Sequence, residues 1–260
     1  MNKSPVTVCM ISGAEAHRIG RALESVAPWA TEIIVVLNEE VTDGTEEIAR
    51  KYGAKVFREP WKGFVAQKNS AAQKATQKWI LGLDADEVVS PELREEIMVV
   101  TGRESKPDSA AAYEFSRLSF YCGRWIRHGD WYPDRTIRLW QRDKAKVGGI
   151  EPHATMLVEG KAGRLRGDLL HYTSETIHHQ ISKIGPYQKE QVERWVAQGR
   201  RVGFFGLVIR PWWRFMRAYF FRLGFLDGWQ GFYIAKMSAF STLTRQAMVL
   251  ETRSAKAGPP

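Results

Sequence analysis

The run Trp79-Ile80-Leu81-Gly82-Leu83, residues 79–83, is apolar, has the length of a buried strand, and stops at Asp84-Ala85-Asp86-Glu87. Runs of the same kind stand upstream at residues 6–11 (VTVCMI) and 33–37 (IIVVL), with a shorter one at 54–57. The two long runs read as strands buried on both faces, the habit of a parallel sheet. Between them Ile19, Ala22, Leu23 and Val26 recur at spacings of three and four, which predicts a helix. A second helix is expected over Thr45 to Tyr52, ended by Gly53, and a third over residues 64–78, rich in Ala, Gln and Lys. Pro91 opens a fourth, with Glu92, Glu95 and Glu96 near its positive end. Strands alternating with helices over the first hundred residues predict an α/β fold, a mostly parallel central sheet flanked by helices. The ligand crevice of such a sheet lies beyond the carboxyl ends of its strands, where Asp84 and Asp86 fall.

The remainder of the chain has a different character. Residues 111–116, 136–141 and 154–159 read as strands joined by loops dense in Trp, Tyr, Arg, His and Gly, and residues 175–202 as helical. With 260 residues, 44% of them hydrophobic, the chain is long enough for a full core and excludes a disordered or repeat-built polymer. Cys9 and Cys122 are too few for a disulfide framework and fit a reducing compartment. Net charge is +9, and residues 1–193 contribute none of it. The surplus lies in residues 194–260, where Asp227 and Glu251 are the only acids, so that quarter is expected to meet something anionic. The opening MNKSPVTVCMISG has no long apolar region before a cleavage site, so a cytoplasmic location is expected.

The acids of residues 84–87 repel one another unless a cation joins them. Mg²⁺ or Mn²⁺ takes hard carboxylate oxygens and links them to a diphosphate, although plain surface acids at a strand end read equally well from the local sequence. Ser12-Gly13-Ala14-Glu15 follows the first strand, so neither a dinucleotide fingerprint nor a P-loop stands there.

Taken together, residues 6–15 (VTVCMISGAE), 29–57 (WATEIIVVLNEEVTDGTEEIARKYGAKVF), 61–75 (WKGFVAQKNSAAQKA), 79–93 (WILGLDADEVVSPEL), 128–143 (HGDWYPDRTIRLWQRD) and 163–173 (GRLRGDLLHYT) resemble glycosyltransferase family 2, in particular the lipopolysaccharide core glycosyltransferases. The resemblance implies the GT-A fold and an inverting, metal-dependent transfer of a sugar from a nucleotide diphosphate. Asp84 and Asp86 match the DxD motif, Asp86 as the more direct metal ligand and Asp84 nearer the ribose and metal-bound phosphate. Lys68 matches the basic residue beside the base or phosphate. Glu15 matches the acid of an asparagine-glutamate pair whose asparagine is replaced here by Ala14, with Ser12 beside it. Asp43 matches the second acid of the loop after strand two, and Asn38 or Glu39 is placed to hydrogen-bond the base. His171 is placed near the diphosphate or metal, and a buried hydrogen-bonded histidine is an equal reading. The family's acid commonly follows a histidine directly, but Ala154 follows His153 here, so Glu151 is the first choice of catalytic base and Asp130 the second. Trp131, Tyr132, Arg135 and Arg138, with His153, are expected to shape the pocket for donor and acceptor, or to serve packing and surface pairs.

In the tail, Arg210, Arg214 and Arg217 fall at helical spacings beside an apolar stripe of Trp213, Met216 and Phe220. Such a helix suits an anionic bilayer interface, with its guanidinium groups near phosphate, or packs on the catalytic domain. The expected organisation is a GT-A domain over residues 1–173 and a helical, membrane-associating extension over 174–260. The expected function is transfer of a hexose, with glucose from UDP-glucose expected first, to a lipopolysaccharide core or other lipid-linked saccharide, at the inner face of the cytoplasmic membrane. A noncatalytic sugar or nucleotide-binding protein is one alternative. A basic nucleic-acid-binding protein is another, disfavoured by the neutral first 193 residues.

Overall fold

The computed structural model describes residues 3–103, 109–150, 153–174, 176–200 and 202–257. In chain order the elements begin β1 (Ser4–Ser12), α1 (Ile19–Val26), β2 (Ala30–Asn38), α2 (Thr45–Lys51), β3 (Lys55–Glu59), α3 (Phe64–Gln73), β4 (Trp79–Gly82), β5 (Glu87–Val89) and α4 (Pro91–Thr101). They continue with β6 (Ala112–Tyr121), β7 (Arg124–Ile126), β8 (Asp134–Gln141), β9 (Ala145–Ile150), β10 (His153–Val158), β11 (Ala162–Arg164) and β12 (Leu169–Ser174). Three long helices follow: α5 (Ile177–Ala197), α6 (Phe204–Met216) and α7 (Gly228–Ala257). The chain divides into two compact units, Met1–Arg117 with Arg135–His171, and Leu118–Asp134 with Tyr172–Pro260. The second unit thus joins the segment Leu118–Asp134 to the C-terminal helices.

The sheet runs β3-β2-β1-β4-β8-β6-β12-β5. Strands β3, β2, β1 and β4 are mutually parallel, and β8 joins β4 antiparallel, with Leu81 opposite Leu139. One face of β1 and β2 places Val6, Val8, Met10, Ile33 and Val35 against the apolar stripe of α1, all of whose predicted positions are buried, and against Leu93 and Ile97 of α4. The other face packs Cys9, Ile34, Val36 and Ile80 on Ala71 of α3 and on Ala75. Burial, with Glu32 nearby, pushes the Cys9 thiol up to about 12, so it packs as an apolar group and is no nucleophile. The start of α4 is fixed as its sequence predicts, with the Ser90 hydroxyl accepting from Leu93 N at 3.1 Å and Pro91 in the first turn.

The third helix ends at Gln73, five residues earlier than its composition predicts. The cause is a buried carboxylate: Glu32 accepts from Thr76 N at 2.8 Å and Thr76 Oγ1 at 3.0 Å, which draws this segment out of the helix. Glu32 also accepts from Thr7 Oγ1 at 2.6 Å and Lys55 Nζ at 2.8 Å. Burial alone would raise its pKa, but these donors hold it down to about 2. A carboxyl depressed in the folded state stabilises fully above its unfolded pKa, near 4.5, and that contribution is lost as pH falls from there toward 2. Glu32→Gln is therefore expected to cost on the order of 3 kcal/mol at neutral pH and to flatten the stability profile between pH 4.5 and 2 in urea unfolding. A variant with an unchanged acid profile would show that Glu32 does not carry this dependence.

Candidate active site

Strand β4 ends at Gly82, and the chain stays pinned to β1 for one more residue through Leu83 N donating to Cys9 O at 3.1 Å. It then turns, with Glu87 N donating to Asp84 O at 3.0 Å, and the turn holds both aspartates beyond the carboxyl edge of the sheet. Asp84 is doubly engaged: Oδ1 accepts from Lys68 Nζ at 2.9 Å and Oδ2 from Arg138 at 2.6 Å. Burial would raise its pKa, but the charges of Arg138 and Lys68 hold it well below the usual carboxylate range. Asp86 is held more loosely, with its Oδ2 3.5 Å from His171 Nε2 and 3.8 Å from an Arg18 nitrogen. Its pKa is also lowered; burial opposes this, and the contact with His171 is the largest favourable cause.

Behind the aspartates stands a residue that the sequence reading left out of the site. Glu87 is fully buried, accepts from Arg138 at 2.8 Å and from the Asp84 backbone N–H at 3.0 Å, and lies 3.7 Å from Arg117. It thereby aims both Arg138 and the turn that carries Asp84. Arg18, also unforeseen, pairs with Glu15 and reaches Asp86, so the loop after β1 is tied to the acids after β4. The available signal was the row of charges itself: an acid next to the DxD pair, and an arginine three residues after Glu15.

The other expected donor-side residues sit in the loops after β1 and β2. The Asp43 carboxylate accepts from Ala16 N at 3.0 Å, Thr45 N at 3.1 Å and Thr45 Oγ1 at 2.6 Å, while Thr45 Oγ1 accepts from Glu15 N at 2.9 Å. These bonds join the two loops and lower the Asp43 pKa, with the Thr45 hydroxyl as the main cause. Asn38 closes β2 and Ser12 closes β1, where Ser12 is buried. Arg138 and Arg135 both lie on β8, Arg138 within the acidic cluster and Arg135 exposed. Asn69 of α3 brackets Val147 of β9, donating to its carbonyl at 2.8 Å and accepting from its N–H at 3.0 Å. That fixes the strand leading toward Glu151. Glu151 itself lies outside the described residues, between the end of β9 at Ile150 and the start of β10 at His153.

Two of the expected site residues lie in the second unit. Asp130, the second choice of base, belongs to the second unit and is 3% exposed at its side chain, held by Arg214 at 2.8 Å, Arg217 at 2.7 Å and Arg222 at 3.5 Å. Its carboxylate is engaged by three guanidiniums of the same unit, which gives Asp130 a structural use there. The same contacts turn Arg214 and Arg217 toward protein, with both sharing the one carboxylate of Asp130. Trp131 likewise lies in the second unit, packed edge-on against Tyr121 with ring centroids 5.3 Å apart.

Among the described residues, no three or more His, Cys, Asp or Glu side chains are grouped to hold an ion by themselves. A hard cation that keeps water and takes phosphate oxygens needs only one or two protein carboxylates. Asp86, with His171 beside the same oxygen, fits that more modest requirement, whereas both oxygens of Asp84 are already engaged.

Residues 7–158 match the model of glycosyl transferase family 2. An uncharacterized glycosyltransferase of Rickettsia typhi is 32% identical over 95% of this chain and 87% of its own length. A lipopolysaccharide core biosynthesis glycosyltransferase, LpsC of Rhizobium meliloti, is 27% identical over 99% of this chain and 96% of its own. Among solved structures, a mannosyltransferase of Pyrobaculum calidifontis in complex with GDP-Man and Mn²⁺ aligns with a TM-score of 0.51 at 16% identity, covering 99% of this chain and 81% of that one. TarS of S. aureus in complex with UDP-GlcNAc aligns with a TM-score of 0.51 at 13% identity, covering 98% and 92%. The architecture is that of the GT-A fold, and with a family model spanning more than half of its length, the chain belongs to glycosyltransferase family 2.

Proposed function

We propose that this glycosyltransferase moves a hexose, with inversion, from a nucleotide diphosphate donor to a lipid-linked saccharide of the lipopolysaccharide-core type, with UDP-glucose as the first donor to test. The observation that carries the reading is the arrangement of Asp84 and Asp86 at the end of β4 among Lys68, Arg138, Arg18 and His171. Lys68 and Arg138 are poised to share their charge between Asp84 and the donor diphosphate, and Asp86 with His171 offers a free edge to a divalent cation. A bound Mg²⁺ or Mn²⁺ would supply neutralisation of the charge growing on the departing diphosphate. Glu151 takes the proton of the acceptor hydroxyl as its oxygen bonds to the anomeric carbon and the bond to the diphosphate breaks. Asn69, by holding β9, positions that segment. The experiment is a transfer assay over a panel of nucleotide sugars with and without Mn²⁺, using a deacylated core acceptor. Glu151→Gln is expected to cut turnover at least a hundredfold while leaving UDP affinity within about twofold of wild type. Near-normal turnover removes Glu151 from the base role, and silence across the panel favours a noncatalytic sugar binder.

The second unit supports work at a membrane surface. No helix among the described residues is long and apolar enough to cross a bilayer. Helix α6 instead presents Phe205 (77% exposed), Val208, Ile209 and Trp212 at spacings of three, one and three, an apolar stripe on its outer side, with exposed Arg210 alongside. Phe221, Phe225 and Trp229 extend the exposed apolar surface. Apolar rings beside guanidiniums suit the headgroup level of an anionic leaflet, and each ring removed from water adds on the order of 1 kcal/mol. The double variant Phe205→Ser/Trp212→Ser is expected to lose at least tenfold in partitioning to phosphatidylglycerol vesicles by flotation, with no change in UDP binding. Equal flotation of the variant would place the contact elsewhere.

A further inference from the structure

Within the second unit lies a cavity of about 280 Å³ whose lining includes Trp131, Gln180, Arg214, Ser238, Ser241 and Arg245. Its chemistry is one-sided: two guanidiniums and several neutral donors line it, and among the described residues no acidic side chain does. Arg245 has no carboxylate within ion-pair distance among the described residues, and its Nε is buried without a hydrogen-bond partner. Burial and the like charges of Arg214 and Arg200 lower its pKa, the signature of a cation placed where none is compensated. Trp195 provides only a ring face, with its centroid 5.4 Å from the Arg245 guanidinium and 4.0 Å from that of Arg200. Arg214 is not neutralised either, because it shares the single carboxylate of Asp130 with Arg217 and Arg222.

The neutral groups are set to donate. Ser241 Oγ accepts from Gln188 Nε2 at 2.7 Å, which leaves its own hydroxyl proton to give. Gln180 spends its carbonyl oxygen on the Tyr121 hydroxyl, which leaves its amide N–H groups as donors. Guanidiniums with hydroxyl and amide donors are what a phosphate monoester needs, and arginine matches its oxygens two at a time. Trp131 adds an aromatic wall, held by Tyr121, of the kind that covers the apolar face of a sugar ring. The volume is at the small end for ligand pockets, enough for one substituted monosaccharide and not for a chain.

We propose that this cavity is a binding site for a phosphorylated sugar, the phosphate held by Arg245 and Arg214 and the ring laid against Trp131. Such a site would let the second unit grip a phosphate carried on the acceptor saccharide. That use rests on the transferase reading above; the binding itself does not.

The test is isothermal titration of the full chain with glucose 6-phosphate, glucose and inorganic phosphate, with UDP and Mn²⁺ titrated in parallel. Glucose 6-phosphate is expected to bind at least tenfold more tightly than inorganic phosphate, and glucose not at all. Arg245→Gln and Ser241→Ala are each expected to weaken the sugar phosphate by fivefold or more while leaving UDP affinity unchanged. Ser241→Ala keeps the test decisive should Arg245→Gln fail to fold. The site is refuted if neither phosphate ligand binds, or if both variants bind like wild type. Equal affinity for inorganic phosphate refutes the sugar, and displacement of glucose 6-phosphate by phosphatidic acid vesicles but not by phosphatidylcholine assigns the site to a lipid headgroup instead. Failure of UDP binding alone, with the sugar phosphate retained, counts against the transferase reading and not against this site.

Discussion

Asp86→Asn is expected to reduce transfer by about 10²–10³-fold with little change in folding stability, and the contrast with its neighbour explains why. Asp84 has both oxygens engaged, at 2.9 Å by Lys68 and at 2.6 Å by Arg138, so its charge is already used inside the protein. Asp86 meets its partners only at 3.5 and 3.8 Å, so it is the less tightly held of the two acids, although Asp84 is the more exposed, 31% against 21%. It is the acid whose oxygens are less committed within the protein. Replacing one carboxylate oxygen by an amide removes the charge that a divalent ion needs while leaving the turn, which is built from Glu87 and the backbone, in place. The measurement is a single-turnover rate against Mn²⁺ concentration, with urea unfolding alongside. A variant within fivefold of wild type and with the same Mn²⁺ curve would take Asp86 out of the metal role. Asp84→Asn, by contrast, is expected to lose stability as well as rate, since it strips the main partner from two cations.

Local sequence was enough for part of this site and blind to the rest. The alternation of buried strands with the stripe Ile19, Ala22, Leu23 and Val26 gives the β-α-β frame, and the stop from Leu83 to Asp84 marks a strand end where ligands bind. Arg138 could not be placed that way. It arrives from 54 residues downstream because β8 pairs antiparallel with β4, and no short-range pattern records that pairing. Spacing in the tail had the complementary weakness. Periodicity says which residues share a face of a helix and leaves open which face turns inward. The arginines at 214 and 217 read as an outward basic stripe, but the buried acid Asp130, 84 residues earlier, draws Arg214 toward protein together with Arg217. The predicted apolar stripe also divides: Trp213 and Phe220 are exposed, Met216 is half-buried, and the more continuous outward stripe lies one turn earlier, from Phe205 to Trp212.

Charge compensation links the acidic cluster to stability as well as to binding, and Arg138 is where the two meet. Its side chain is 12% exposed, and the same terminal nitrogen donates to Asp84 at 2.6 Å and to the fully buried Glu87 at 2.8 Å. Burial would lower the pKa of this guanidinium, but Asp84 and Glu87 raise it, so it stays charged throughout. Removing one member of a buried ion pair leaves the other charged and unsatisfied, which typically costs 3–5 kcal/mol, or roughly 10²–10⁴-fold in the folding equilibrium. Arg138→Met is expected to cost about that much, because Arg117, at 3.7 Å from Glu87, is too distant to replace it. Glu87→Gln in the same background should restore at least about 1 kcal/mol, since it removes the orphaned charge while keeping an oxygen for the Asp84 backbone N–H. Urea unfolding of the two single variants and the double variant measures this coupling. Simple additivity would mean that Glu87 and Arg138 act independently, whereas a double variant that folds well yet binds UDP poorly would separate the structural use of Arg138 from its use toward the donor.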